Sequence, residues 1–292
     1  MIKLIVCDID GTILDTQNRF DEESFQKIDE KRKQGVEFMF STGRSFEMVE
    51  DICKQKNIYS DLILNNGTQY RSYDGSKNVY YPMDKEPFIK VVHILKDRGY
   101  HISIHTQLGK YTIEDIETYF KHHQAILMKN RDIQDVSEFP KAAFFTREGF
   151  LKNTHHVKDL EDLFKQGALP LKIDARHIDI NQISDVDNML EGIGEFHISS
   201  SYGENIEITT LVHDKGSMLK QVLKEKGLSI EEVATFGDGL NDVAMLEGFP
   251  YSFAPLNACD EAKEKAAYSL DVTNEQGAVK KGIEILEQLN LL

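Results

Sequence analysis

The chain has 292 residues, and a composition of 40% hydrophobic and 28% charged residues allows a large buried core in one or two domains. This balance excludes a mainly disordered chain. The formal net charge is -15, from 34 basic and 49 acidic residues, which repels nucleic acid and anionic membrane surfaces. We therefore expect neither as a partner, and a phosphate site would need its own local cations.

Cysteine content and the first residues bear on the cellular compartment. The three cysteines, Cys7, Cys53 and Cys259, lack the paired spacing of a disulfide framework or a zinc site. The apolar run before Asp8 is too short for a signal peptide, and no later stretch approaches about twenty apolar residues. We expect a cytoplasmic protein, and the sequence indicates no particular protein partner.

The first part of the chain alternates predicted strands and helices. The β-branched run at residues 2–7 predicts a strand that is buried on both faces. A helix at 22–34, a strand at 36–43, a helix at 45–57 and a strand at 61–65 follow. This alternation is typical of a doubly wound α/β domain with a mostly parallel sheet.

The middle of the chain has a different order of elements. Asp74-Gly75 predicts a tight hairpin turn. The predicted elements that follow are a helix at 85–98, strands at 100–106 and 110–113, a helix at 116–122, a strand at 142–147, a helix at 154–165, and strands at 171–175, 177–183, 196–202 and 205–210. Paired strands between helices indicate an antiparallel α+β module.

The α/β pattern returns in the last part of the chain. It predicts a helix at 216–226, strands at 233–236 and 251–254, and a closing helix at 278–289. We therefore predict one α/β core, formed by residues 1–82 and 210–292, with an inserted α+β module at 83–209.

Polar side chains follow several of the predicted core strands. In an open parallel sheet, ligands bind beyond the carboxyl ends of the strands. The residues at these positions are Asp8 and Asp10, Thr42 and Arg44, and Asp238, Asn241 and Asp242. Magnesium prefers oxygen ligands, so Asp8, Asp10 and Asp238 together can form part of a magnesium shell. Each motif by itself also fits an ordinary acidic turn or helix cap.

Two further segments can contact a phosphate group. Ser41-Thr42-Gly43-Arg44 offers a hydroxyl group and backbone amides, although small residues at a strand end usually make a turn. Lys215 stands at the start of a predicted helix, where a lysine is usually exposed. Beside a carboxylate and a phosphate, it would act as a point cation.

The four segments DIDGT, STGR, DKGSML and GDGLNDVAML have the order and spacing of the haloacid dehalogenase-like (HAD) superfamily. The chain most resembles the Cof-type phosphatases of that superfamily, over its whole length. The resemblance implies a Rossmann-like core with a large α+β cap domain that acts as a lid. One departure is the stretch GFPYSFAPLNA, in which Pro250 and Pro255 are expected to reshape an edge of the core.

The resemblance also implies roles in catalysis. Asp8 is expected to be the nucleophile that forms an aspartyl phosphate, and Asp10 the general acid and base. Mg²⁺ would be held by the Asp8 side chain, the backbone carbonyl of Asp10 and the Asp238 side chain. Asp242 would orient Lys215 or metal-bound water.

Phosphate binding is expected from Thr42, Gly43, Asn241 and Lys215, by the same resemblance. Arg44 is left outside this set, because it can instead pair with an acidic residue of the core. The adjacent histidines of the inserted module, at 122–123 and 155–156, are expected at the surface and not on a metal ion.

The expected function is magnesium-dependent hydrolysis of phosphomonoesters of small metabolites, with sugar phosphates as the expected class. Two alternatives stay open. A phosphotransferase or phosphomutase could use the same aspartyl phosphate, and a phosphometabolite-binding protein could retain the site without turnover.

Overall fold

The structure is a computed structural model that describes residues 1–15, 19–139, 145–200 and 204–292. It contains two compact units. The first combines Met1–Val79 with His213–Leu292, and the second is the inserted segment Tyr80–Val212, against a predicted insertion of 83–209.

The strands and helices have the following bounds. The strands are β1 Leu4–Cys7, β2 Glu37–Ser41, β3 Leu62–Leu64, β4 Gln69–Arg71, β5 Asn78–Tyr80, β6 His101–Thr106, β7 Gly109–Thr112, β8 Thr154–His156, β9 Pro170–Arg176, β10 Phe196–Ser199, β11 Asn205–Thr210, β12 Val233–Phe236, β13 Tyr251–Ala254 and β14 Tyr268–Ser269. The helices are α1 Glu22–Lys33, α2 Phe46–Lys56, α3 Lys85–Asp97, α4 Ile116–Asn130, α5 Arg147–Leu151, α6 Leu160–Lys165, α7 Val186–Leu190, α8 Lys215–Lys226, α9 Val243–Glu247, α10 Asp260–Lys265 and α11 Ala278–Gln288.

The first unit is built on an eight-stranded sheet in the order β14-β13-β12-β1-β2-β3-β4-β5. The strands from β14 to β3 run parallel, and β4 turns back antiparallel to β3. All four residues of the central strand β1 are buried, as its β-branched apolar sequence requires for a strand covered on both faces. The predicted doubly wound, mostly parallel sheet is confirmed.

Amphipathic helices cover this sheet. On α11, the buried residues Val279, Ile283 and Leu286 recur at helical spacing and form one apolar stripe. The stripe belongs to the same hydrophobic core as Ile5 of β1 and Phe236 of β12. The strand β13 is regular and pairs parallel with β12, so the unusual stretch around Pro250 and Pro255 does not interrupt the sheet.

The second unit has a six-stranded sheet in the order β10-β11-β9-β6-β7-β8. All its pairings are antiparallel except that of β7 with β8. A hydrophobic core forms between this sheet and α3, whose buried residues include Phe88, Val91 and Leu95. The antiparallel α+β character predicted for the insertion is present in this unit.

Most errors of the element predictions fall in this second unit. The predicted helix at 154–165 begins instead as the edge strand β8, and α6 starts only after Asp159, whose side chain accepts a hydrogen bond from the Asp162 amide. The predicted strand at 177–183 is wrong because Asp179 caps a 3-10 helix there. The helix predicted at 116–122 extends to Asn130.

Two predicted strands include residues that lie outside the described part of the chain. Of the strand predicted at 142–147, residues 142–144 lie outside it, and α5 begins at Arg147 after a Thr146 cap. Of the strand predicted at 196–202, β10 covers Phe196–Ser199 and residues 201–202 lie outside the described part. Among the described helices, none combines the length and the apolar composition that crossing a membrane requires.

We predict that Gly216→Ala lowers the free energy of unfolding by about 1–3 kcal/mol. A Cβ at this position of α8 would collide with the carbonyl group of Ala244, in the first turn of α9. Because the obstacle is backbone, no side-chain rotation relieves it, and the helix propensity gained from alanine, at most about 1 kcal/mol, is outweighed.

Chemical denaturation of both proteins measures this change. Lys224→Ala, at an exposed position of the same helix, serves as the control and should stay within about 0.5 kcal/mol of wild type. A Gly216→Ala protein as stable as this control would show that the two helices can separate freely.

Candidate active site

The central parallel strands bring the predicted site residues to one end of the sheet. Cys7, the last residue of β1, is level with Phe236 of β12 and with Phe40 of β2. The Asp8 amide then donates to the Phe236 carbonyl at 2.9 Å. The segments that follow these three strands, which carry Asp8, Asp238 and Thr42, therefore start side by side.

Lys215 connects two carboxylates at this end of the sheet. Its Nζ lies 2.6 Å from Asp8 Oδ1 and 2.7 Å from Asp242 Oδ1. The side chain is completely buried. Burial by itself would lower the pKa of the Lys215 amine, but Asp242 and Asp8 hold that pKa above its ordinary value. The amine is thus a fixed positive charge between two acidic groups.

The start of α8 fixes the position of Lys215. The Asp214 side chain accepts a hydrogen bond of 2.6 Å from the Ser217 amide and so caps the helix. Gly67 has a φ of +94°, and a Cβ there would collide with the Asp214 carbonyl and lie 2.8 Å from the Lys215 nitrogen. Glycine at 67 therefore lets the segment after β3 approach the start of this helix.

Asp242 organises the loop that follows β12. Its Oδ2 accepts hydrogen bonds of 3.0 Å from the backbone amides of Asp238 and Gly239. A Cβ on Gly237 would lie 2.6 Å from Asp242 Cγ, so the glycine leaves room for this carboxylate. One oxygen of Asp242 thus holds the loop and the other holds Lys215.

Asp238 is held from the other side by Thr12, whose Oγ1 donates to Asp238 Oδ1 at 2.6 Å. Gly11, with a φ of +79°, passes so close that a Cβ there would collide with the Asp238 carboxylate. Burial, with the charge of Asp242, raises the pKa of Asp238 to about 7. Burial likewise raises the pKa of Asp8 well above its ordinary value, against the opposing effect of Lys215.

Three of these carboxylates form a group whose chemistry fits a divalent cation. One oxygen each of Asp8, Asp238 and Asp242 lies within 4.8 Å of the others. Hard oxygen donors are what Mg²⁺ prefers. Burial first, and then the neighbouring carboxylates, raise the pKa values of Asp8 and Asp238, and a bound cation would favour their charged forms. These residues therefore fit a divalent metal ion.

Asp10 lies apart from that group and pairs with Arg44. The guanidinium contacts both carboxylate oxygens, with Nε 2.7 Å from Oδ2 and Nη2 2.5 Å from Oδ1. This geometry fits the expectation that Arg44 can pair with an acidic residue. The acidic residue is Asp10, which is itself a predicted site residue. The predicted contact of Asp10 with Mg²⁺ uses its backbone carbonyl. The side-chain contact with Arg44 does not test that contact, which stays a prediction.

The predicted phosphate-contacting residues meet at the same end of the sheet. Thr42 is buried, and its Oγ1 accepts from the Arg44 amide at 3.2 Å. Asn241 Nδ2 donates to Asn66 Oδ1 at 3.0 Å, which joins the loop after β12 to the turn after β3. Gly43 follows Thr42 directly in the chain.

Asn66 and Thr12 are site residues that the sequence did not single out for a role. Asn66 belongs to the run Asn65-Asn66-Gly67, whose members all have positive φ values of 50°, 58° and 94°. Asparagine and glycine tolerate this region best, so three such residues after a buried strand were an available signal of a sharp functional turn. Thr12 was part of the quoted DIDGT motif, but its hydrogen bond to Asp238 spans 226 positions and leaves no local pattern.

The fold and this cluster define an α/β enzyme whose site is built from carboxylates and a buried lysine at the strand ends. The model of the family described as haloacid dehalogenase-like hydrolase matches residues 5–283, so the chain belongs to the haloacid dehalogenase-like hydrolase family. The predicted superfamily is confirmed, and with it the predicted class of enzyme.

Relatives of known name cover nearly the whole chain. The 5-amino-6-(5-phospho-D-ribitylamino)uracil phosphatase YcsE of Bacillus subtilis is 26% identical, over 96% of this chain and 94% of its own. The pyridoxal phosphate phosphatase YbhA of Escherichia coli is 24% identical, over 90% and 91%. A solved haloacid dehalogenase-like hydrolase of B. subtilis, 22% identical, superposes with a TM-score of 0.82 over 98% of this chain and 99% of its own, which shows the shared fold.

We predict that the contribution of Asp238 to the stability of the metal-free protein falls as pH rises from about 4 to about 7. The folded state raises the pKa of this carboxyl from 3.8 to about 7, so it binds the proton more tightly than the unfolded chain does. Its contribution is therefore complete below pH 4 and is lost as pH rises through about 7. Denaturation in chelator across this range should show that the free energy of unfolding of wild type falls relative to that of Asp238→Asn as pH rises.

Two additions make this measurement specific. The variant Asp271→Asn, at an exposed position, should keep the wild-type slope. Excess Mg²⁺ at pH 8 should restore stability to wild type more than to Asp238→Asn, because a cation binds the charged form. Equal slopes for wild type and Asp238→Asn would show that this carboxyl is not perturbed.

Proposed function

We propose that the chain is a magnesium-dependent phosphatase that hydrolyses phosphomonoesters of small metabolites through an aspartyl phosphate on Asp8. The observation that carries this proposal is the buried contact of Lys215 Nζ with Asp8 Oδ1 at 2.6 Å. A buried carboxylate that shares its site with a fixed cation, at the end of a parallel strand, is arranged for chemistry on an anionic group. Packing alone would not require it.

Asp8 has one oxygen held and one available. Oδ1 accepts from Lys215, and among the described residues no hydrogen bond reaches Oδ2. Oδ2 is therefore the atom we assign to attack on phosphorus. The Lys215 amine keeps the carboxylate oriented and offsets negative charge as the phosphoryl group approaches.

Asp10 is the residue that we assign to proton transfer. It would donate a proton to the leaving oxygen and later accept one from the water that breaks the aspartyl phosphate. Both of its oxygens are engaged by Arg44. One of these hydrogen bonds must therefore open before Asp10 can reach a leaving group, which gives Arg44 a role in positioning the acid.

Asp8 and Asp238, with the backbone carbonyl of Asp10, are the groups that we assign to Mg²⁺, while Asp242 lies in the same cluster. When bound, the ion would offset the charge of the carboxylates and of the phosphoryl oxygens. Asp242 already gives one oxygen to Lys215 and the other to two backbone amides. We therefore assign Asp242 to orienting the lysine and the loop.

The remaining phosphoryl oxygens have donors on neighbouring segments. The Thr42 hydroxyl, the Gly43 amide and the Asn241 side chain come from two different strand ends, and Lys215 adds a positive charge. Asn241 is held by Asn66, so its amide group has a defined orientation. Such prepositioned donors lower the cost of organising the transition state.

The relatives support a small phosphorylated substrate. YcsE is named for a phosphate on a ribityl chain, and YbhA for pyridoxal phosphate. In both of the compounds named, the phosphate is an ester of a primary alcohol of a small metabolite. We propose the same chemical class for this chain, with sugar phosphates as the first group to test.

Release of inorganic phosphate from a panel of such substrates tests the function directly. Wild type should turn over in Mg²⁺ and lose activity in excess chelator. We predict that Asp8→Asn abolishes turnover but keeps or raises the free energy of unfolding. Burial raises the pKa of Asp8, so its charged form is less favourable in the folded state than in the unfolded chain, and asparagine removes that charge.

Asp271→Asn is again the matched control and should keep full activity. Turnover by Asp8→Asn would exclude Asp8 as the nucleophile, and full wild-type activity in chelator would exclude the metal. Phosphate that remains on an isomeric product, instead of release, would identify a mutase. Tight binding of phosphorylated metabolites without turnover by wild type would identify a binding protein.

We predict that Asp10→Asn lowers kcat for alkyl phosphates by about 10²–10⁴-fold, because it removes the general acid and base. With p-nitrophenyl phosphate, whose leaving group needs no proton, the variant should release about one nitrophenolate per enzyme rapidly and then turn over slowly. Steady turnover at the wild-type rate would assign the proton transfers to another residue. Stabilisation by Mg²⁺ should persist, since the Asp10 side chain lies outside the carboxylate group.

A further inference from the structure

A second group of metal-ligating side chains lies within the inserted unit. His101, Glu114 and His122 each offer one ligand atom, and these atoms lie within 4.8 Å of one another. Nδ1 of His101 is 2.9 Å from Glu114 Oε2, and Nδ1 of His122 is also 2.9 Å from that oxygen. All three residues belong to Tyr80–Val212, so the group needs no residue of the proposed active site.

Local structure holds each of the three residues in place. β6 and β7 pair antiparallel with Ile104 level with Tyr111, and this register, continued outward, places His101 opposite Glu114. Asp115, the next residue, caps α4 by accepting a hydrogen bond from the Thr118 amide at 3.0 Å. The cap fixes the start of the helix directly after Glu114.

The two imidazole rings are also fixed relative to each other. Their centroids are 3.7 Å apart, with an interplanar angle of 33°. Stacked in this way, both rings turn the Nδ1 edge toward the same carboxylate. The adjacent His123 points elsewhere, since it is buried and stacks on Phe150 at 3.6 Å. Of this histidine pair, His122 alone therefore belongs to the group.

The donor set and the distances fit a transition metal ion. Two ligands bound about 2.0–2.1 Å from a tetrahedral zinc ion lie about 3.3–3.4 Å apart. The present separations of 2.9 Å between nitrogen and oxygen would need to widen by a few tenths of an ångström. Two imidazoles and a carboxylate leave a fourth position for water, and imidazole ligands favour zinc over magnesium.

The group is accessible to ions from solvent. The side chains of His101 and Glu114 are 20% exposed, and that of His122 is 40% exposed. Partial burial keeps the rings ordered while an edge of the group stays open. We propose that His101, Glu114 and His122 bind one divalent transition metal ion, with Zn²⁺ the expected ion, and that the ion joins β6 to the start of α4.

Zinc titration of the full chain by calorimetry tests the proposal. The protein is first stripped with chelator and then kept in millimolar Mg²⁺, which competes with zinc for the carboxylate group proposed above to bind Mg²⁺. Wild type should show a zinc site that is weakened at least tenfold in His122→Gln and in Glu114→Gln. His93→Gln, at an exposed position of α3, is the matched control and should retain the site.

Further measurements separate loss of the site from loss of the fold. Circular dichroism checks each metal-free variant, and zinc should raise the Tm of wild type and His93→Gln more than that of His122→Gln. In wild type, ¹H–¹⁵N spectra of the histidine rings should show Nδ1 shifts of His101 and His122 on zinc addition. This measurement needs no variant, so it tests the site even if a substitution prevents folding. Identical zinc isotherms for wild type and His122→Gln, or unchanged ring signals, would overturn the proposal.

Discussion

The buried contact of Lys215 with Asp8 and Asp242 is the interaction on which the site depends. It joins the end of β1, the start of α8 and the loop after β12, and the Lys215–Asp8 contact spans 207 positions. Taking these ions out of water costs several kcal/mol each, and short contacts repay that cost only when the remaining polar atoms are also satisfied. The backbone amides of Asp238 and Gly239 meet this requirement for Asp242, because both donate hydrogen bonds to its Oδ2.

This arrangement explains why the surrounding positions are so constrained. Gly67 and Gly237 leave no space for a side chain, because the Asp214 carbonyl and the Asp242 carboxylate occupy it. The ion cluster therefore requires glycine in the backbone that passes close to it after two different strands. At the same time, burial, together with the neighbouring carboxylates, raises the pKa values of Asp8 and Asp238. A bound cation would favour the charged forms of both carboxyl groups.

The sequence predicted the parts of this site that depend on local pattern. Apolar runs that end in Asp8 and Asp238 identify buried parallel strands, and parallel strands must end at one edge of the sheet. The Thr12 and Asn66 hydrogen bonds were not predictable in this way, since they depend on which loop meets which. The failed strand and helix predictions of the inserted unit have a local cause, because Asp159 and Asp179 cap short helices inside patterns that otherwise suit longer elements.

Two groups of potential metal ligands in one chain raise the question of selectivity, and the chemistry of their neighbours answers it. The carboxylate group has a cysteine directly before Asp8, and a thiolate there would attract soft ions. Burial, reinforced by Asp8, raises the pKa of the Cys7 thiol well above its ordinary value, so the sulfur stays protonated. Its Sγ instead donates to the Asp8 carbonyl at 2.9 Å. The core group therefore presents hard oxygen donors suited to Mg²⁺, while the imidazoles of the inserted unit supply the nitrogen donors that zinc prefers.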